Sequence, residues 1–297
     1  IFFPRGRYLV SSIYIPSYVT ISGEGRGTLI KSTTGTPIKL RSEAVDGSTV
    51  SVNSLTTNYV YKILSLGTGD TTTAIWNTIA GDTGSWNTTF GGSGTPAVGD
   101  CFIATTTGTS NGSATVVRIN GQCQAIVIKD IGIEAPVGSW SIRHEGGGVL
   151  TECRFENIYM DAQYGLCLNR YTQSTVIDGL LTKQTGKSVE QMIWLRGNRN
   201  LITNLDKDDV SSAAVHPTTT NPLVLIENTS TSGSGRASGN ILSNWVLEGK
   251  CGSGTKPLLK LSYCQDIIIS NIWVEPTGPS PAIYSGDAFV IEDCKNV

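Results

Sequence analysis

Charge, histidine and long apolar runs are all scarce in this chain. Only 15% of its 297 residues are charged, 2 are histidines, and the formal net charge is −2. Nucleic-acid binding requires a clustered basic surface, so this balance argues against nucleic acid as the main partner. No apolar run approaches the roughly 18 residues of a membrane-spanning helix, so no membrane span is expected.

Metal-binding and disulfide patterns are also missing. The 7 cysteines are odd in number and lack the C-x-x-C spacing of zinc sites. We therefore expect no metal and no cofactor, and mostly buried free thiols in a protein assembled in a reducing compartment. Cys264 and Cys294 occupy matching places in LSYCQD and IEDCKN, where stacked thiols or a disulfide would both fit. GEGRG at 23–27 lacks the Lys-Ser/Thr ending of a phosphate-binding loop.

Glycine is abundant, at 34 residues, beside many Ser, Thr and Asn, which favours an all-β chain with many turns. A short unit reads apolar, polar, Asn or Asp, apolar, any, apolar, acid. Its clearest copy is ISNIWVE at 269–275. Copies recur at intervals of roughly 20–40 residues, which is typical of a solenoid. The other copies are IKDIGIE, FENIYMD, IDGLLTK, ITNLDKD and LSNWVLE.

The third position of the unit predicts a bend between two short strands, because its residue types adopt a left-handed backbone at low cost. It reads Asp130, Asn157, Gly179, Asn204, Asn244 and Asn271. Side chains alternate between the two faces of a strand, so the fourth and sixth positions of the unit are predicted to face inward and the fifth outward. Trp245, at a fourth position, is therefore predicted to lie in the core. A further apolar strand precedes each bend, as at 166–168 and 192–195. The prediction is a parallel β-helix with three strands per coil and a stack of Asn side chains at the bends.

The chain divides into three segments on this pattern. Residues 1–67 form the first coils, and residues 123–297 the main β-helix. Between them, residues 68–122 combine a Gly/Thr/Asn-rich loop with a probable hairpin and are predicted to be an inserted β-rich arm. The chain does not begin with Met and stops at EDCKNV, the lead-in to another repeat. We expect it to be part of a longer protein, truncated at both ends.

The last position of the unit predicts a column of acids along one face. It reads Glu134, Asp161, Lys183, Asp208, Glu248 and Glu275. Adjacent coils would place two carboxyls about 5 Å apart, near the separation in retaining glycosidases. The candidate catalytic residues are Asp206, Asp208, Glu248 and Glu275, where one acid protonates the leaving oxygen and another activates water or attacks. Acids at strand ends also keep a face soluble and block edge pairing.

Outward aromatic residues are candidates for substrate binding. Trp273 and Tyr159 lie on the strand that carries the acids, and Trp194 and Arg196 lie on the preceding strand, near Asn169. An exposed ring suits either stacking on a sugar or a contact between subunits. The neighbours His144 and Glu145 would fit an acid/base pair or, more simply, a solvated turn.

Residues 2–30, FFPRGRYLVSSIYIPSYVTISGEGRGTLI, resemble the opening coils of pectin-lyase-like right-handed β-helices, especially those of bacteriophage tailspikes. A capping helix usually precedes these coils in the family and is missing here. The resemblance implies a right-handed parallel β-helix. It also implies a homotrimer that contacts other phage tail proteins, is assembled in the host cytoplasm and acts in the virion tail. The NTDG, GHG and RIK motifs of polygalacturonases and the RxPxxR of pectate lyases do not occur. Tailspikes share no catalytic motif, so the resemblance assigns no residue roles.

Three functions follow as hypotheses. The first is a phage or prophage tailspike or tail fibre that binds a bacterial surface polysaccharide, capsule or O-antigen, and also depolymerises it if the acids are catalytic. The second is a structural or adhesin-like β-helix without enzymatic activity. The third is a secreted polysaccharide lyase or hydrolase.

Overall fold

The computed structural model describes residues 1–41, 45–57, 59–67, 73–80, 96–108, 113–119, 122–145, 149–183, 189–208, 221–228, 237–248, 257–275 and 289–297. The side chains of residues 73–75, 169–170, 183, 208, 248 and 274–275 lie outside this description. The chain forms two compact units. The first contains Ile1–Lys39, Gln124–His144 and Leu150–Val297, and the second contains Leu40–Cys123 and Glu145–Val149.

Two parallel sheets run along the chain, here named sheet one and sheet two, with strands numbered in chain order. Sheet one contains, in spatial order, β1 (Gly6–Leu9), β3 (Thr20–Lys31), β10 (Val127–Glu134), β13 (Arg154–Asp161), β15 (Val176–Lys183), β17 (Leu201–Asp208), β20 (Ile241–Glu248) and β23 (Ile268–Glu275). Sheet two contains β2 (Ile13–Ile15), β4 (Ile38–Leu40), β11 (Trp140–His144), β14 (Tyr164–Gln173), β16 (Gln191–Asn198), β18 (Val224–Glu227), β21 (Leu259–Ser262) and β24 (Phe289–Glu292). Short strands complete the coils: β9 (Cys123–Gln124), β12 (Leu150–Thr151), β19 (Ala237–Ser238) and β22 (Cys264–Gln265).

The predicted bends lie inside the sheet-one strands and have the predicted backbone. The φ angles are 56° at Asp130, 52° at Asn157, 72° at Gly179, 55° at Asn204, 59° at Asn244 and 51° at Asn271. Their side chains bond along the stack, since the Asn157 amide donates to Asp130 Oδ1 at 2.9 Å and the Asn271 amide donates to Asn244 Oδ1 at 3.2 Å. The left-handed bend and its Asn stack are therefore confirmed.

The core is a column of apolar side chains that stack from coil to coil. Ile131 pairs in register with Ile158, Ile158 pairs with Leu180, and all three side chains are buried. Trp245 is fully buried, and its indole N–H donates to the Ile202 carbonyl at 3.0 Å. Parallel register and an inward apolar column together make this all-β unit a parallel β-helix, as predicted.

The second unit is an antiparallel sheet with one helix. Its strands, in spatial order, are β5 (Val45–Ser51), β8 (Thr115–Ile119), β6 (Val60–Ser65) and β7 (Cys101–Ile103), and its helix is α1 (Thr73–Ala80). The rings of Trp76 and Phe102 meet edge to face at 5.5 Å in its buried core. This unit begins at Leu40, so it includes β5 and β6, which the sequence pattern assigned to the first coils. Period-two alternation looks the same in parallel and antiparallel strands, and only pairing distinguishes them.

Six cysteines fall within the described residues, and all are free thiols. Cys294 is half-buried and accepts the backbone N–H of Cys264 at 3.4 Å, which is the predicted stack of thiols in adjacent coils. Among the described residues, no helix is both long and apolar enough to span a membrane.

Candidate functional site

The outward residues of sheet one form a single row across the strands. Tyr159 pairs with Leu181, Leu181 with Asp206, Asp206 with Val246, and Val246 with Trp273. Trp273 is 64% exposed, whereas the Tyr159 ring lies 4.9 Å from the Arg26 guanidinium. Tyr159 and Trp273 are four strand steps apart, roughly 19 Å at the usual spacing, so their rings are not in contact, and their role in substrate binding stays a prediction.

The predicted acid column follows the strand ends of sheet one in register. Glu134 pairs with Asp161 and Glu248 pairs with Glu275, but Asp208 lies opposite Lys183. Glu134 Oε1 accepts a hydrogen bond from the Lys31 ammonium at 2.5 Å, so on β10 the acid is neutralised by a cation. The side chains of Asp208, Glu248 and Glu275 lie outside the described part of the chain. The catalytic role of these residues and of the exposed Asp206 stays a prediction.

Sheet two holds Trp194 and Arg196 in a defined arrangement on β16. The Trp194 indole N–H donates to Glu227 Oε1 at 2.9 Å. Arg196 Nε and Nη2 donate to the same oxygen at 2.8 and 2.6 Å. Arg196 and Glu227 are cross-strand partners on β16 and β18, which explains the pairing. Trp194 and Arg196, which the sequence placed on one outer face, thus both donate hydrogen bonds to the Glu227 carboxylate.

Two further aromatic rings lie beside Trp194. Trp140 on β11 pairs in register with Tyr164 on β14, and their ring centroids are 5.2 Å apart. The centroids of Trp140 and Trp194 are 6.3 Å apart. All three residues are partly exposed. These separations are those of rings in direct contact, so three successive coils contribute one aromatic surface.

A second carboxylate, Glu190, holds the edge of this surface. The Tyr164 hydroxyl donates to Glu190 Oε2 at 2.7 Å, and the Gln163 amide donates to Glu190 Oε1. Burial, together with the bond to Glu190 and its charge, raises the pKa of Tyr164 to about 12. The Tyr164 hydroxyl is therefore a protonated donor at any physiological pH, and its ring is held in place.

The sheet-two patch is defined here as Trp140, Tyr164, Glu190, Trp194, Arg196 and Glu227. The sequence pattern identified only Trp194 and Arg196. β11, which reads WSIRH, lacks the apolar triplet used to locate the sheet-two strands, whereas β18 carries one in VLI at 224–226 that was not assigned. The signal that would have found the rest is the aromatic residue at the start of successive strands, Trp140 in SWSIRH and Tyr164 in YGLCL. Glu227 follows the apolar triplet of β18 as Arg196 follows that of β16, so alignment of the two triplets would have paired these residues.

The neighbours His144 and Glu145 differ from expectation. His144 ends β11 and is fully buried, so the interpretation as a solvated turn is wrong. Glu145 is 2% exposed and lies 3.8 Å from the buried Arg41 guanidinium within the second unit. Burial of a carboxylate favours such pairing, so Glu145 is a core ion-pair partner.

Comparison with known proteins finds a likeness among solved structures. No family model and no curated protein matches the chain. Among solved structures, the chain is similar to the tailspike protein gp49 of Pseudomonas phage LKA1, at 13% sequence identity and a TM-score of 0.30. The match covers 99% of this chain and 54% of the tailspike chain, so the present chain spans about half the length of that protein.

Proposed function

We propose that this β-helix binds a bacterial surface polysaccharide through the sheet-two patch, as part of a phage or prophage tailspike or tail fibre. The observation that carries the proposal is the contact of three partly exposed rings, with centroids 5.2 and 6.3 Å apart, between two hydrogen-bonded glutamates. The resemblance of residues 2–30 to tailspike coils supports the location in the virion tail and the contact with other tail proteins.

The chemistry of the patch suits a sugar polymer. The C–H face of a pyranose is apolar, so stacking on an indole removes apolar surface from water on both sides. The rings come from successive coils of sheet two, and adjacent strands are about 4.8 Å apart. A flat polymer of several sugar units can therefore lie across the strands. Carboxylates at both edges supply acceptors for its hydroxyl groups.

Binding is tested with purified O-antigen or capsule and isothermal titration calorimetry. Trp194→Ala and Trp140→Ala are each expected to weaken binding roughly tenfold or more, since each removes an aromatic face. Tyr59→Ala, which removes an exposed ring of the second unit, is the matched control and should bind like the wild type. If Trp273→Ala abolishes binding while Trp194→Ala does not, the site belongs on sheet one and the proposal fails.

Cleavage is a second candidate function, favoured by the register of Glu248 and Glu275. Their Cα positions are direct partners on β20 and β23, about one strand spacing apart, which is near the carboxyl separation of retaining glycosidases. Released oligosaccharide is the readout. Asp208→Asn and Glu275→Gln should each abolish release without lowering the melting temperature. A protein that binds polysaccharide but releases nothing is instead a non-enzymatic adhesin, and an unsaturated product would indicate a lyase.

A further inference from the structure

We infer that the polysaccharide bound by the sheet-two patch is uncharged. This inference rests on the proposed binding function and concerns the chemical class of its ligand. It follows from the ionisable groups of the patch, which are Glu190, Arg196 and Glu227. Two carboxylates and one guanidinium leave the patch with an excess of negative charge, which opposes the approach of an acidic sugar.

Arg196, the one cation of the patch, is already committed to a carboxylate. Its Nε and Nη2 both donate to Glu227 Oε1, at 2.8 and 2.6 Å. An arginine that binds a uronate or phosphate typically presents its guanidinium fork to the ligand, with its charge uncompensated. Here the same fork faces Glu227, so a bound anion would meet a neutralised pair and a neighbouring carboxylate.

The next outward cation along sheet two is balanced as well. Lys260 on β21 lies 2.9 Å from Glu292 on β24. Because Trp194 and Lys260 each pair with Leu225, a polymer that extends from Trp194 across β18 and β21 would reach this lysine. A chain of acidic sugars would thus meet compensated charges both at Arg196 and at Lys260.

The patch does offer what a neutral sugar needs. The three rings provide apolar faces, and Glu227 Oε2 accepts no hydrogen bond from any described residue. That oxygen is a charged acceptor, and a hydroxyl donor on a sugar would form a short, charge-assisted bond with it. Hydroxyl-rich, uncharged sugars satisfy the rings and the acceptor together.

The test compares one polysaccharide in two charge states. A uronate-containing capsule and its carboxyl-reduced, neutral form are titrated against the wild-type chain, together with an O-antigen that is neutral by composition. The neutral polymers are expected to bind with less than about a twofold change between low and high salt, since no ion pair is formed. The uronate form should bind at least tenfold more weakly than its reduced form.

A matched pair of variants sharpens the test. Glu227→Gln keeps the size and the acceptor but releases Arg196, so it should strengthen binding of the uronate form severalfold and make that binding sensitive to salt. Asp46→Asn releases Arg118 of the second unit from an equivalent ion pair and should change neither. Preferential, salt-dependent binding of the uronate form by the wild type overturns the inference but keeps the binding function. Absence of binding to all three polymers overturns both.

Discussion

Individual buried polar residues inside the turns stabilise this β-helix in addition to its apolar column. Asn200 and Asn240 are both buried and lie at equivalent places in successive coils. The Asn200 backbone N–H and side-chain amide each donate to Asn240 Oδ1 at 2.9 Å, and the Asn240 amide donates to the Gly197 carbonyl at 3.0 Å. The amide groups thus satisfy backbone groups that the turn leaves without strand partners.

Asn240→Ala is therefore expected to lower the free energy of unfolding by about 2–3 kcal/mol, because it leaves buried donors and an acceptor unsatisfied. Urea denaturation followed by circular dichroism measures the change. Ser243→Ala, which removes a half-buried hydroxyl three residues along the chain, is the control and should stay within about 0.5 kcal/mol of the wild type. Equal losses of unfolding free energy in the two variants would contradict the structural role of the Asn200–Asn240 hydrogen bonds.

Tyr164 provides a prediction about pH. Its pKa is raised from 10.0 to about 12 by burial and then by the bond to Glu190 and its charge. The folded chain therefore holds this proton more tightly than the unfolded chain. The resulting stabilisation is fully present below pH 10 and is lost as the pH rises from 10 to about 12.

The measurement is tyrosinate absorbance during an alkaline titration, taken as the difference between the wild type and Tyr164→Phe. This difference should show a group that ionises near pH 12. Glu190→Gln should move that ionisation toward lower pH, since it removes the negative charge beside the hydroxyl while burial remains. An unshifted transition in Glu190→Gln would mean that Glu190 does not hold Tyr164.

At the scale of the strand, the outer face of β16 depends on close packing against β14. The register between these strands shifts between Leu168 and Tyr171, a β-bulge. Opposite the end of that bulge, Gly197 has φ 139°, and a Cβ at this position would lie 1.8 Å from the Thr172 carbonyl oxygen. Only glycine allows the two backbones to approach so closely.

Gly197→Ala is expected to destabilise the chain by about 3 kcal/mol or more, because backbone must move to make room. It should also weaken polysaccharide binding, since Trp194 and Arg196 lie on the same strand. Thermal melting and calorimetry measure the two effects. Gly35→Ala, where an added Cβ meets nothing within 4 Å, is the control and should leave both unchanged. Wild-type stability in Gly197→Ala would show that the strands separate at little cost.

For the whole molecule, the two sheets present different outer faces. Sheet one carries Leu181, Val246 and Trp273 in one row, with Asp206 between Leu181 and Val246, and Val246 and Trp273 are 38% and 64% exposed. We propose that the apolar members of this row are buried between subunits of a homotrimer, whereas the sheet-two patch stays open to the polysaccharide. Exposed apolar rows on one face are typical of such interfaces.

The full-length protein is expected to be a trimer by multi-angle light scattering. Val246→Glu should shift it toward the monomer, because a carboxylate would be buried without a partner. Ser243→Glu, on the same strand outside this row, should leave the trimer intact. A monomeric wild-type protein would contradict both the trimer and the tailspike assignment.

A second bend shows where sequence reasoning stops. Ala125, Glu152, Ser174 and Arg199 each precede a sheet-one strand by two residues, and their φ angles lie between 52° and 57°. None of these residue types favours a left-handed backbone. At the equivalent places before β20 and β23 lie Gly239 and Asp266, with φ angles of 66° and 53°, so residue type signals this bend in those coils but not in the four above.

The sequence by itself determined the repeat, the first bend, the inward and outward faces, and hence the parallel β-helix, because these depend on residue type and a period of two. It also indicated Trp194 and Arg196 on an outer face. Only the tertiary structure decided that Trp140, Tyr164 and Glu227 join them, and that residues 45–51 and 60–65 belong to an antiparallel sheet. Both outcomes depend on which strands become neighbours. The loops between the strands vary in length, and their sequence does not indicate which strands will pair.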